Sequence, residues 1–249
     1  MALPTNTQDH IWRAALSEFF STLIFVFAAS GSAIVVKNLS VDEPTATLAV
    51  VIANAFALSA AVSFGTKISS GHVNPAVTFA GFVGGELTWL RCIIFWLAQL
   101  LGSVIACLLL KFISGGQRIP DFERSSGIEV GNAVMLDIGR TFAFVSGVHR
   151  IYSSSSRNIS KTMAFLIGLV VGANYLWVRL FFDGVCMNPA ALFGPSLVGW
   201  SWENHRVYWD LAFDLSLSTL LGDNVYNFGE LLAHPIVSNY IKIFGAPIF

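Results

Sequence analysis

The chain has 249 residues, of which 55% are apolar or aromatic and only 12% charged, with a mean hydropathy of +0.67. Soluble domains carry roughly 25% charged residues, so water alone cannot solvate this surface, and 21 Gly and 21 Phe add to the membrane character. A net charge of −1 with no basic run argues against nucleic acid as a partner. Three cysteines (Cys92, Cys107, Cys186) make neither a disulfide framework nor a metal site, and no nucleotide-loop, zinc-protease or nucleophile-elbow pattern points to an enzyme or a cofactor.

A hydrocarbon core about 30 Å thick is crossed by roughly 20 apolar residues in a helix. Residues 14–36 form the first such run, broken only by Glu18. It is too long for a cleaved signal peptide, and no small-residue cleavage site follows it. Residues 46–66 and 92–110 carry no charge. Residues 130–148 would span but for Asp137 and Arg140. Residues 162–178 are clean and end against Arg179, and 206–226 are interrupted by Asp210 and Asp214.

Six spans result, and the Lys/Arg bias orients them. Lys67 follows the second span. Arg150, Arg157 and Lys161 follow the fourth with no acid among them, whereas the opposite loops mix signs. Both termini are therefore expected in the cytoplasm. Ser153 to Ser156 then form a solvated cytoplasmic linker. The sequons at Asn38 and Asn158 are expected to carry no glycan, one lying against the membrane and the other on the cytoplasmic side.

Two apolar segments are too short to span: residues 74–84 and 188–198. Both open with Asn-Pro-Ala. Each follows two spans of its half and precedes the third, so residues 1–249 are expected to form one membrane domain of two inverted half-repeats, about 10–112 and 128–226, with a tail over 227–249. Asn is a preferred N-cap, and Pro fits the first helical position because its missing N–H is not needed there. A helix of this length is roughly 15 Å long and crosses half the bilayer. Two of them, dipping in from opposite faces, bring their N-termini together at the midplane. Each N-terminus carries about half a positive charge, and the pair repels cations and protons. The carboxamides of Asn74 and Asn188 are expected to donate hydrogen bonds into a lumen, orienting each passing water and interrupting the proton wire. An inverted-repeat secondary transporter is the alternative architecture that this pattern admits.

With these residues the chain resembles the aquaporin, or major intrinsic protein, family. The stretches SEFFSTLIFVFAASGSA (17–33), ISSGHVNPAVTFA (68–80), FWLAQLLGSVIACLLLKF (95–112), GLVVGAN (168–174) and MNPAALFGP (187–195) are similar to its plant tonoplast subgroup. The resemblance covers most of residues 14–209. It implies an all-α membrane protein with an hourglass of six transmembrane helices plus two re-entrant half-helices. It also implies a tetramer, homo- or hetero-oligomeric, in the bilayer of the vacuolar membrane or another plant endomembrane, passing water and small neutral solutes. The pore motifs are Asn74, Pro75, Ala76 and Asn188, Pro189, Ala190.

The family's constriction maps onto Asn54, Val185, Ala191 and a fifth-span residue that is Tyr175 or Leu176, depending on which motif the count starts from. Most members carry Arg where this chain has Ala191, and many tonoplast members carry His where it has Asn54. Loss of a five-donor fork implies a wider, less polar constriction that admits urea, ammonia or glycerol beside water. Glu18 and Asp137 resemble the buried acids that fix the re-entrant loops, and His72 a loop-fixing residue. Cys186 falls near the constriction. Arg140, Arg179, Asp210 and Asp214 depart from the family. Each costs about 2.5–3.5 kcal/mol at a helix centre, which favours a non-conducting or regulatory subunit as the rival reading.

Overall fold

The computed structural model describes residues 7–83, 85–120, 144, 147–148, 161–178 and 187–202. Within them the chain forms α1 (Thr7–Asn38), α2 (Glu43–Gly65), the short α3 (Pro75–Val83), α4 (Trp89–Ile113), α5 (Lys161–Val178) and the short α6 (Pro189–Gly199). No strand occurs among the described residues. Among the described residues three helices are long and apolar enough to cross a bilayer: His10–Asn38, Glu43–Gly65 and Trp89–Ile113. The 18 residues of α5 extend about 27 Å. Of the expected fourth span only residues 144, 147 and 148 are described; the expected sixth span lies outside the described residues, and so do Asp137, Arg140, Arg179, Val185, Cys186, Asp210 and Asp214.

The helices begin a few residues before the apolar runs because polar caps extend them. Asp42 is extended at ψ 155° and accepts from the Thr45 amide at 3.2 Å and the Thr45 hydroxyl at 2.8 Å. The hydroxyl first, and then the amide, holds the Asp42 carboxyl below the usual carboxylate range. Thr88 caps α4 in the same way, accepting from the Arg91 amide at 3.4 Å.

The side chains are sorted for lipid outside and polarity inside. Leu48, Ile52 and Phe56 form an exposed stripe at every fourth residue of α2, and Leu97, Leu101 and Leu108, spaced by four and seven residues, are exposed on one face of α4. Ser17, Glu18, Ser21 and Thr22 of α1, with Gln99 and Ser103 of α4, are buried. A water-soluble bundle of such helices would place these two sets the other way round.

Lipid offers apolar surface as good as Leu, so helices in a membrane associate through close backbone approach instead. α1 packs along α4 and α2, α2 along α5, and both short helices lie against α4. At Gly102 an added methyl would collide with the Phe19 carbonyl. At Gly168 it would collide with the Ser59 side chain and the Ala55 carbonyl. Gly168→Leu should therefore force α2 and α5 apart and cost about 1–3 kcal/mol, read as a lower unfolding midpoint in detergent. Gly199→Ala meets nothing within 4 Å and should change stability by no more than about 0.5 kcal/mol.

Candidate functional site

The chain leaves α2 in a turn, with the amides of Ile68 and Ser69 both donating to the Gly65 carbonyl at 2.9 Å. It then runs through three left-handed residues, Ser70 (φ 80°), Gly71 (φ 69°) and Val73 (φ 57°). Gly71 suits both its φ and its surroundings, since a methyl there would lie 2.8 Å from the Val62 carbonyl oxygen. Val73 is β-branched, and a left-handed β-branched residue persists only where its neighbours over-determine it.

The constraint comes from Glu18, which is wholly buried. Its Oε1 accepts from the His72 amide at 2.9 Å, and its Oε2 accepts from the Val73 amide and from Gln99 Nε2, both at 2.8 Å. Ser69 Oγ donates to Ser17 Oγ at 3.1 Å and accepts from the Gly71 amide at 3.2 Å. One acid on α1 thus holds two consecutive amides of the loop and an amide of α4.

Asn74 and Asn188 then start the two short helices alike. Asn74 Oδ1 accepts from the Ala76 amide at 2.8 Å, and Asn188 Oδ1 from the Ala190 amide at 3.0 Å. Pro75 and Pro189 take the first helical positions. Trp96 Nε1 donates to the Pro75 carbonyl at 2.8 Å, pinning the first turn of α3 to α4. The 9 residues of α3 and 11 of α6 give lengths of about 14 and 17 Å.

The two starts meet by a reciprocal exchange. Asn74 Nδ2 donates to the Met187 carbonyl, and Asn188 Nδ2 donates to the Val73 carbonyl, each at 2.7 Å. Each Asn thus bonds the residue immediately before the other. The amides were expected to serve a lumen; one hydrogen of each serves instead to join the loops.

A cavity adjoins this seam. Asn74, Asn188, His72, Gly71 and Met187 line it on one side, and Phe25, Leu58, Val62, Phe144, Ile167, Val171 and Tyr175 supply apolar wall from α1, α2, α5 and residue 144. A cavity with an apolar wall and few polar groups suits small neutral molecules, because each added polar contact slows release.

The expected constriction residues fall in different places. Tyr175 is buried and lines the cavity, whereas Leu176 is 49% exposed on the outer face of α5. Ala191 is buried in the first turn of α6. Asn54 is buried, with Nδ2 donating to the Val50 carbonyl of its own helix at 2.8 Å, and it does not line this cavity. Sequence reasoning missed Gln99, Thr78 and Trp96. Gln99 carried a signal, as the only amide in the charge-free run of the third span. Among the described residues no three His, Cys, Asp or Glu converge as metal ligands.

The family profile for major intrinsic proteins matches residues 5–211. The chain is 48% identical over 207 residues to aquaporin TIP1-1 of Arabidopsis thaliana, covering 82% of each chain. It is also 48% identical over 219 residues to aquaporin TIP1-2 of Musa acuminata, covering 86% of each. The chain belongs to the major intrinsic protein family. Its fold is also that of the aquaglyceroporin from Plasmodium falciparum, with a TM-score of 0.68 at 18% identity over 92% of this chain and 99% of that one. This major intrinsic protein carries a second match, to PSD13 N-terminal repeats, over residues 202–242.

Glu18→Leu should strand three buried donors, each costing about 1–3 kcal/mol. Hydrogen exchange should quicken at the His72 and Val73 amides while the amides in the middle of α4 stay protected. Unchanged exchange at both loop amides would refute the holding role given to Glu18.

Proposed function

We propose that this protein is a passive transmembrane channel for water and small neutral solutes. The observation that carries the reading is the exchange of amide hydrogen bonds between Asn74 and Asn188 at the wall of an apolar cavity. Two helix N-termini held together concentrate positive potential where a cation would have to pass. A water crossing there accepts from Nδ2 groups whose Oδ1 atoms are committed to the caps. Its hydrogens turn away from the junction, and the chain of donors and acceptors that protons need is interrupted. The names of the relatives, aquaporin TIP1-1 and TIP1-2, support the same reading.

The constriction belongs to Ala191, Val185, Asn54 and Tyr175, with Tyr175 preferred over Leu176 because it faces inward. With Ala191 in place of a cationic side chain, the opening suits urea, ammonia or glycerol as well as water. The protein resides in the vacuolar membrane as a tetramer, with its N-terminus in the cytoplasm. Asp137 fixes the second re-entrant loop as Glu18 holds the first.

A second reading is favoured by one finding. The family match ends at 211, and the match to PSD13 repeats begins at 202, so the run over 206–226 that contains Asp210 and Asp214 straddles the boundary. On that reading the chain is a non-conducting subunit that assembles with conducting relatives. Stopped-flow light scattering of proteoliposomes separates the two. A channel gives flux linear in solute concentration with a low activation energy; flux no greater than lipid alone from normally assembled protein selects the regulatory subunit; saturating flux marks a transporter.

Ala191→Arg tests the constriction directly. It should cut urea and glycerol flux about tenfold or more, equivalent to roughly 1.4 kcal/mol of added barrier, and leave water flux within about twofold. Equal urea and glycerol flux in the two proteins would move the constriction elsewhere.

A further inference from the structure

α4 grips both short helices, at well-separated points along its length. Trp96 donates to the Pro75 carbonyl in the first turn of α3, at 2.8 Å. Lys111, in the last turn of α4, donates from Nζ to the Val198 carbonyl in the last turn of α6, at 3.2 Å. Between the two, Ser103 meets Gly194, where an added methyl would collide with the Ser103 hydroxyl and carbonyl. The contacts keep one order. Along α4 they fall at 96, 103 and 111; on the facing side they run from the seam to 194 and then to 198. α6 therefore leads away from the seam in the same direction as α4.

The two ends of α6 are held in different ways. The inner end is joined to the other loop by the Asn74 and Asn188 amides. At the outer end the last carbonyls have no donor within the helix. The Ser196 carbonyl accepts from the Ser201 amide at 3.0 Å and from Trp200, which is left-handed at φ 53°. The Val198 carbonyl takes its donor from α4. α3 differs here: its Gly81 carbonyl accepts from the Glu86 and Leu87 amides of the following turn, at 2.8 and 3.1 Å. The outer end of α3 closes on its own chain, and that of α6 borrows a lysine.

Trp96 and Lys111 stand 15 residues apart, about 22 Å along α4, whereas Asn188 and Val198 stand 10 apart, about 15 Å along α6. Helical side chains lean toward the N-terminus of their helix, so a long side chain at 111 reaches back over the difference. Its ammonium then lies at the negative ends of two helices at once. α6 needs the hold. It has 11 residues, and Pro195 lacks the N–H that would bond the Ala191 carbonyl, so an already short ladder loses a rung.

We propose that Lys111 is a positioning residue for the Asn74–Asn188 exchange, acting through α6. It fixes the outer end of that helix at a set distance along α4, and the helix in turn holds Asn188 against the first loop. On the channel reading, this sets the spacing of the two amides that a passing water meets.

The test is hydrogen exchange of the full chain in lipid vesicles, read at both ends of α6. Lys111→Met should quicken the Ser201 amide at the outer end. It should also quicken the Ala190 amide, which bonds Asn188 Oδ1 at the inner end. Each change should be about two- to fivefold, the range that a charge at a helix end supports. Lys111→Gln, too short to reach Val198, should do the same. Lys111→Arg should restore wild-type rates at both, since it keeps charge and reach, and amides in the middle of α4 should not change in any variant. Quickening confined to Ser201 would reduce Lys111 to a local cap and overturn the inference. Wild-type rates at both ends in Lys111→Met would overturn it too, as when the ammonium serves lipid phosphates instead, and so would a Lys111→Arg as fast as Lys111→Met. The rates are independent of flux: a non-conducting protein with the expected pattern would defeat the channel reading and leave the role of Lys111 standing.

Discussion

Two carboxamides, one from each half of the chain, close the centre of the molecule. Asn74 and Asn188 each spend an oxygen on capping their own helix and an N–H on the carbonyl before the other. Non-helical backbone at membrane depth has no water to satisfy it unless a cavity supplies some. The exchange answers that need at Val73 and Met187 and fixes the distance between two helix ends. Without it, two positive helix termini would face one another across an unbraced gap. With it, their repulsion is held by a pair of 2.7 Å hydrogen bonds, and the field they share becomes a fixed part of the cavity wall.

The exchange requires Val73 to present its carbonyl from a left-handed conformation that a β-branched residue disfavours. Glu18 offsets that cost. Burying an acid is unfavourable, and removing one partner of a buried charged group costs about 3–5 kcal/mol. Here three N–H donors converge on two oxygens. The loop and the acid therefore depend on each other: the strain persists because the acid needs donors, and the acid stays buried because the loop supplies two of them. Gln99 extends the arrangement to Thr78 and back to the Asn74 carbonyl. The first turn of α3 is thereby attached to both α1 and α4, and Trp96 adds a further bond from α4.

Much of this was legible in the residues. The runs at 14–36, 46–66, 92–110 and 162–178 became α1, α2, α4 and α5, with ends shifted by a few residues where Asp42 and Thr88 cap beyond the apolar stretch. The Asn-Pro starts of α3 and α6 were readable because capping is local chemistry. The reciprocal bonds were not, since they join residues 113 and 115 positions apart, and spacing carries no distance between loops. The choice between Tyr175 and Leu176 was likewise closed to counting, because adjacent residues on a helix differ by 100° in direction and one inserted residue exchanges them. Packing against α2 decides which turns inward. Asn54 has a contact that its position in the sequence did not give: one N–H of its amide donates to the Val50 carbonyl one turn earlier.

The boundary between the two family matches bears on all of this through its position. Every residue of the exchange, of the Glu18 network and of the described cavity wall precedes 202, where the PSD13 match begins. Asp210 lies within both matches and Asp214 beyond the first. Of the two acids, each costing about 2.5–3.5 kcal/mol at the centre of a span, only Asp210 falls in the stretch over 202–211 that both profiles claim. The donors, acceptors and helix ends of the centre are complete within the first profile.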